Sequence, residues 1–255
     1  VNLGMSRRLQ FHGHRHHHEI RFSIIDAAWR GLPSCTAYQQ TPDQDRLEIH
    51  LFENYSKQQL PSPNQSGPTV VNLGMSLKRL KRLNFAEESM ILNVRMDIAW
   101  RDSRLVWDPT EFADITGYHV YYSDIWTPDI AFYNSNLPKE SLQDVFVDVD
   151  FHGNVSYSPS MKLDVNCTDL DEGDDAHRCR LKWASWSHSS ERVSVSLSSD
   201  TIDLSRYKEN PIWEIVSTEA VQDLVTYPCC PDVFEEIIFT LVIRRRDTQE
   251  STTHA

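Results

Sequence analysis

Nine segments between residues 69 and 245 carry strand-like composition, and only one stretch ahead of them has helical spacing; no other feature restricts the fold as much. The segments 69–80, 90–100, 117–123, 145–151, 155–164, 178–187, 193–197, 213–225 and 234–245 are enriched in β-branched or aromatic residues, or alternate apolar with polar ones. Val145, Val147, Val149 and Phe151 fall on one strand face while Phe146, Asp148 and Asp150 fall on the other. His152-Gly153-Asn154 then reads as a hairpin turn. Many strands at this spacing, with no βαβ repeat, predict an all-β sandwich or barrel. The helix precedes it. Thr41 suits an N-cap, Pro42 the first helical position, and Asp43 and Asp45 the positive end of the dipole. Leu47, Leu51, Phe52 and Tyr55 recur at helical spacing and extend the expectation to about Gln59, before a Pro-rich loop that ends at Pro68.

A second feature speaks to function. Cys229 and Cys230 are adjacent, within Tyr227-Pro228-Cys229-Cys230-Pro231-Asp232-Val233-Phe234. Neighbouring Cα atoms lie about 3.8 Å apart, closer than the roughly 4.4–6.8 Å usual for a disulfide. A bond there closes almost no loop, so it adds little stability and instead stiffens a loop tip with an aromatic ring on each side. Two free or separately paired thiols are the alternative. Four of the five cysteines can make two bridges, Cys167 to Cys179 and Cys229 to Cys230, leaving Cys35 unpaired. Together with four glycosylation sequons, at Asn54, Asn64, Asn154 and Asn166, this points to a secreted, extracellular setting.

The net charge of −12 argues against nucleic acid and favours a field that attracts cations. No apolar run approaches the 18 or so residues of a membrane span, so the chain is expected to be soluble. Residues 1–41 read as an atypical, disordered arm, 42–246 as the β domain and 247–255 as a polar tail. Val1 to Ser6 recurs as Val71 to Ser76, but the likeness stops there and makes no structural repeat. His12, His14, His16, His17 and His18 lack acidic or cysteine partners at fixed spacing, which favours a tag-like segment over a metal site. No nucleophile motif, Gly-rich phosphate loop or spaced zinc set is present, so neither an enzyme nor a cofactor is expected.

Four motifs follow in order: Trp100-Arg101-Asp102-Ser103-Arg104-Leu105-Val106-Trp107, Trp126-Thr127-Pro128-Asp129-Ile130-Ala131-Phe132-Tyr133-Asn134, Trp183-Ala184-Ser185-Trp186-Ser187, and Tyr227-Pro228-Cys229-Cys230. With them the chain from about Asp43 to Arg246 resembles the extracellular ligand-binding domain of Cys-loop receptors, nicotinic acetylcholine receptor α subunits and acetylcholine-binding proteins included. The resemblance implies an immunoglobulin-like β-sandwich of about ten strands with an N-terminal α-helix, assembled as a homopentamer or with a different partner chain. It also implies the ligands: acetylcholine, nicotine-like agonists and α-neurotoxin-type antagonists. Tyr133, Trp186, Tyr227 and Phe234 would form the principal face of an aromatic cage capped by Cys229 and Cys230. A quaternary ammonium offers no ordinary hydrogen bond, so ring faces must supply the attraction, up to about 2 kcal/mol for each desolvated contact. Trp100, Trp107, Trp126, Pro128 and Asp129 read as scaffold.

Departures from the family pattern concern the opposing face, assigned to Arg95, Asp148, Ser156 and Ser158. Arg95 stands where a complementary-face tryptophan is usual, as in the muscle-type α subunit, which relies on another subunit for that face. Ser156 and Ser158 replace apolar contacts, and Phe234 replaces a tyrosine. The segment between Cys167 and Cys179 has 11 residues, five of them acidic, where receptors carry an apolar tip that docks on the membrane domain. Burying it would strand charge, which favours a soluble binding protein over the ectodomain of a channel subunit; a secreted structural sandwich with a non-functional cage is the other alternative.

Overall fold

Helix α1 (Pro42–Phe52) begins where its capping residues place it. The Thr41 hydroxyl accepts from the Gln44 N–H, and the Gln44 side chain accepts from the Thr41 N–H, closing a capping box. The computed structural model describes residues 41–61, 67–136, 146–167, 176–228 and 230–246. The His cluster, the first copy of the recurring hexapeptide, Cys35, Asn64, the acidic stretch after Cys167, Cys229 and the polar tail lie outside the described residues.

The helix stops at Phe52 rather than near Gln59, because Tyr55 is recruited into a tertiary network. Its hydroxyl donates to the fully buried Asp102 carboxylate at 2.7 Å and accepts from the Trp126 N–H at 2.9 Å. Arg104 lies over its ring and donates to the same carboxylate. A charge buried this deeply persists only when paired and hydrogen-bonded, and these contacts supply both.

Eleven strands follow among the described residues: β1 (Thr69–Asn84), β2 (Ser89–Arg101), β3 (Gly117–Tyr121), β4 (Ile130–Phe132), β5 (Phe146–Asp150), β6 (Asn154–Tyr157), β7 (Ser160–Asn166), β8 (Ala176–Ser185), β9 (Val193–Leu197), β10 (Trp213–Thr226) and β11 (Val233–Arg245). They form two sheets. One runs β3-β5-β6-β2-β1-β9, with β7 also paired to β2; the other runs β10-β11-β8-β4. The expected single strand 155–164 is two strands, because Pro159 has no N–H for the ladder and β2 changes partner there from β6 to β7. Strand β4, at three residues, is too short to show a period.

Between the sheets lie Leu73, Leu77, Leu92 and Met96 from one side and Leu181, Ile237, Phe239 and Leu241 from the other, all essentially inaccessible. Each such side chain contributes on the order of 1.5–3 kcal/mol when buried. The Cys167–Cys179 disulfide joins the end of β7 to β8, one strand from each sheet. The β5–β6 turn is the expected hairpin: Gly153 has φ +78°, and a Cβ there would meet the Asp102 carbonyl oxygen at 2.3 Å.

Candidate functional site

Four aromatic rings gather where β4, β8 and the β10–β11 hairpin end. Tyr133 directly follows β4, and Trp186 directly follows β8, which ends at Ser185 rather than at Ser187 as the composition predicts. Tyr227 and Phe234 flank the turn between β10 and β11, where Val225 pairs with Phe234 and Thr226 with Val233. The Tyr133 and Trp186 ring centroids are 5.7 Å apart; those of Tyr227 and Phe234 are 5.5 Å apart, edge to face. Trp186 is 69% exposed, whereas Trp100, Trp107, Trp126 and Trp183 are each buried to 6% exposure or less. Those four pack the interior; Trp186 presents its face to solvent.

The Trp186 loop is fixed by Asp129. The Ser185 hydroxyl donates to Asp129 Oδ1 at 2.6 Å, and the Ser187 N–H and hydroxyl both donate to Oδ2. The Trp186 N–H donates to the Asp129 carbonyl at 3.2 Å. Burial pushes the Asp129 carboxyl upward, but these hydrogen bonds and nearby His188 outweigh it and hold the group below the ordinary carboxylate range.

A second carboxylate, Glu236, lies beneath the rings, 6% exposed. The Tyr227 hydroxyl donates to its Oε1 at 2.6 Å. Burial first, then this hydrogen bond and the Glu236 charge, push the Tyr227 phenol well above its usual range. Burial also raises Tyr133, with Glu236 and Asp129 adding to the shift, while its hydroxyl donates to the Ser185 carbonyl at 3.1 Å. The site therefore has neutral phenols, the exposed Trp186 ring, three part-buried rings and two carboxylates close by: an environment that draws a cation and offers it π-faces.

Residues 44–247 match the model of the neurotransmitter-gated ion-channel ligand binding domain. The chain belongs to that family. It is 30% identical over 225 residues to neuronal acetylcholine receptor subunit alpha-2 of Homo sapiens, covering 84% of this chain and 42% of the relative. It is 32% identical over 219 residues to acetylcholine receptor subunit alpha-type acr-15 of Caenorhabditis elegans, covering 83% and 44%. The chain thus spans about two-fifths of the length of these receptor subunits. Among the described residues of this ligand-binding domain, no helix is long and apolar enough to cross a membrane.

The residues assigned from the sequence to an opposing face lie elsewhere in the domain, on one surface of the larger sheet. Arg95 on β2 donates to Asp97 Oδ2 at 3.1 Å and to the Ser76 hydroxyl at 3.3 Å. Its Nε sits 3.0 Å from Asp97 Oδ1, an ion-pair distance, but is not aligned for a hydrogen bond. The Ser158 hydroxyl donates to the same Oδ1 at 2.8 Å. Ser156 is exposed and pairs across strands with Asp148, whose carboxylate lies 2.6 Å from His119 Nδ1. Among the described residues, no hydrogen bond or ring contact joins this set to the four rings. Of the sequons, Asn54, Asn154 and Asn166 are exposed, and the Asn154 amide donates to Asp150 at 2.9 Å.

Sequence reasoning passed over Glu236 and Asp97. Asp97 was within reach, lying two residues from Arg95 and so on the same strand face. Glu236 gave no signal, because a carboxylate at a strand start reads as solvent-facing until a phenol is found to bond it.

Proposed function

We propose that this domain supplies the principal face of a site for small organic cations of the nicotinic class: acetylcholine, nicotine-like agonists and α-neurotoxin-type antagonists. The exposed Trp186 ring carries this reading, braced by Asp129 and set beside Tyr133, with Tyr227 and Phe234 alongside. Cys229 and Cys230 form the cap in this reading. The opposing face comes from a second chain, through Arg95, Asp148, Ser156 and Ser158; this is supported by Arg95, Asp148 and Ser156 lying on strands of the larger sheet while the rings gather at strand ends of the smaller one. The assembly is a homopentamer; a heteromer is the variant in which another subunit replaces the arginine-bearing face. The domain has a binding role and no catalytic one.

The chain acts as a soluble, secreted glycoprotein, supported by the acidic residues between Cys167 and Cys179, which resist burial against a channel domain. A second reading, the ectodomain of a ligand-gated channel subunit, is favoured by the receptor subunits it matches, each more than twice the matched length. Detection of the native protein in conditioned medium supports the first, and retention in carbonate-washed membranes the second. The cation site itself is tested by tryptophan fluorescence on adding acetylcholine or nicotine. A saturable response that disappears in Trp186→Ala is expected; a response of equal size in that variant would refute the assignment.

A further inference from the structure

Strand β11 leaves the ring cluster with two acidic residues in succession, and strand alternation sends them to opposite sides. Glu236 lies beneath the rings and engages Tyr227. Glu235 faces β9: its Oε2 accepts from the Ser194 hydroxyl at 2.7 Å and from the Val195 N–H at 2.7 Å. Strand β9 belongs to the larger sheet, where it pairs in parallel with β1. Glu235 therefore bridges the two sheets at the residue next to Phe234.

The residue on the other side of Phe234 is attached as well. The Val233 carbonyl accepts from the Ser190 N–H at 2.9 Å and from the Ser190 hydroxyl at 3.0 Å. Ser190 lies between Trp186 and β9, so both neighbours of Phe234 are fastened to the segment that starts at Trp186. None of these bonds involves a ring. Their geometric effect is to restrain Phe234 on β11 relative to the segment that follows Trp186.

We propose that Glu235 is a positioning residue for the cation site: it fastens the start of β11 to β9 and thereby lengthens the stay of a bound cation. The inference rests on the ring cluster being that site. A carboxylate accepting from an N–H and an O–H makes charge-assisted bonds, stronger than those between neutral groups. Without them the start of β11 keeps its ladders to β10 and β8 but loses its tie to β9, so that the Ser190 bonds alone fasten it to the segment after Trp186 and it gives way more readily. Loss of such a fastening acts on dissociation more than on association, since changes within one site move mainly the off-rate.

The test is stopped-flow tryptophan fluorescence on the full chain, with acetylcholine as the probe. Glu235→Ala speeds dissociation roughly ten-fold. Glu235→Gln keeps a side-chain carbonyl for Ser194 and Val195 and stays within about three-fold of the parent. Ser194→Ala removes one donor while sparing the carboxylate, gives an intermediate rate, and decides the matter if Glu235→Ala does not fold. Thermal unfolding of the ligand-free variants provides the contrast, because a purely structural Glu235 would lower the midpoint and leave the off-rate alone. Parental off-rates in Glu235→Ala and Ser194→Ala, with Trp186→Ala still silent, would overturn the positioning role and spare the cation site. No response in the parent chain would overturn both.

Discussion

Trp186 owes its position to a carboxylate that its own ring need not touch. Asp129 gathers Ser185, Ser187 and the Trp186 N–H, so the loop geometry depends on that carboxyl being ionised. Its folded value lies below the unfolded one of about 3.9, so its stabilisation is complete above that pH and is lost as pH falls through the folded value. Ligand-induced fluorescence should therefore persist from neutral pH down to about pH 4 and fail only below it. In Asp129→Asn the neutral-pH response should already be weakened. A response lost by about pH 6 in the parent would contradict the role given to Asp129. At this scale the sequence disclosed the ring residues through their motifs but hid Glu236. Burial of a charged side chain depends on what covers it, and a single chain's pattern does not report that.

At the level of elements, local signals placed the strands and tertiary contacts moved their ends. The capping box set the start of α1 correctly, while Tyr55 had helical spacing and a tertiary use, and the tertiary use prevailed. Pro159 divided a strand whose composition looked continuous. The β5–β6 hairpin was legible because His152-Gly153-Asn154 carries its own backbone instruction. Gly153→Ala should cost at least about 1–2 kcal/mol, from the positive φ alone, with the close approach to Asp102 adding to it. Urea denaturation measures this, and an unchanged midpoint would mean that the turn relaxes. The β2 surface offers another test. Arg95 is already paired with Asp97, which reduces its repulsion of a cation. Arg95→Trp in a homomeric assembly should therefore gain mainly the ring contact, about 0.5–1 kcal/mol or a two- to five-fold tighter equilibrium constant for acetylcholine. Calorimetric titration reads it, and unchanged or weaker binding would show that this surface does not meet the ligand.

At the scale of the whole molecule, two sheets clipped by Cys167–Cys179 hold an aromatic cluster at one place and a polar, charged surface at another. Strand periodicity and turn residues made an all-β sandwich or barrel legible, because alternation shows which faces are buried, and the resemblance to the receptor family chose the sandwich. The separation of the four rings from the surface that carries Arg95 and Ser156 was not legible that way. It depends on which sheet each strand joins, and strand order is a long-range property that local pattern does not encode. The net charge of −12 and the buried Glu236 both favour positive guests, yet bulk charge alone would attract any cation without selecting one. Selection must come from the rings. The most direct measurement compares choline with its neutral carbon isostere, in which a tert-butyl group replaces the trimethylammonium, by fluorescence titration of the assembled protein. Size and apolar surface are then matched and only the charge differs. Choline should bind about ten-fold or more tightly than the isostere, with the preference abolished in Trp186→Ala; equal affinities in the parent protein would contradict a cation held by aromatic faces.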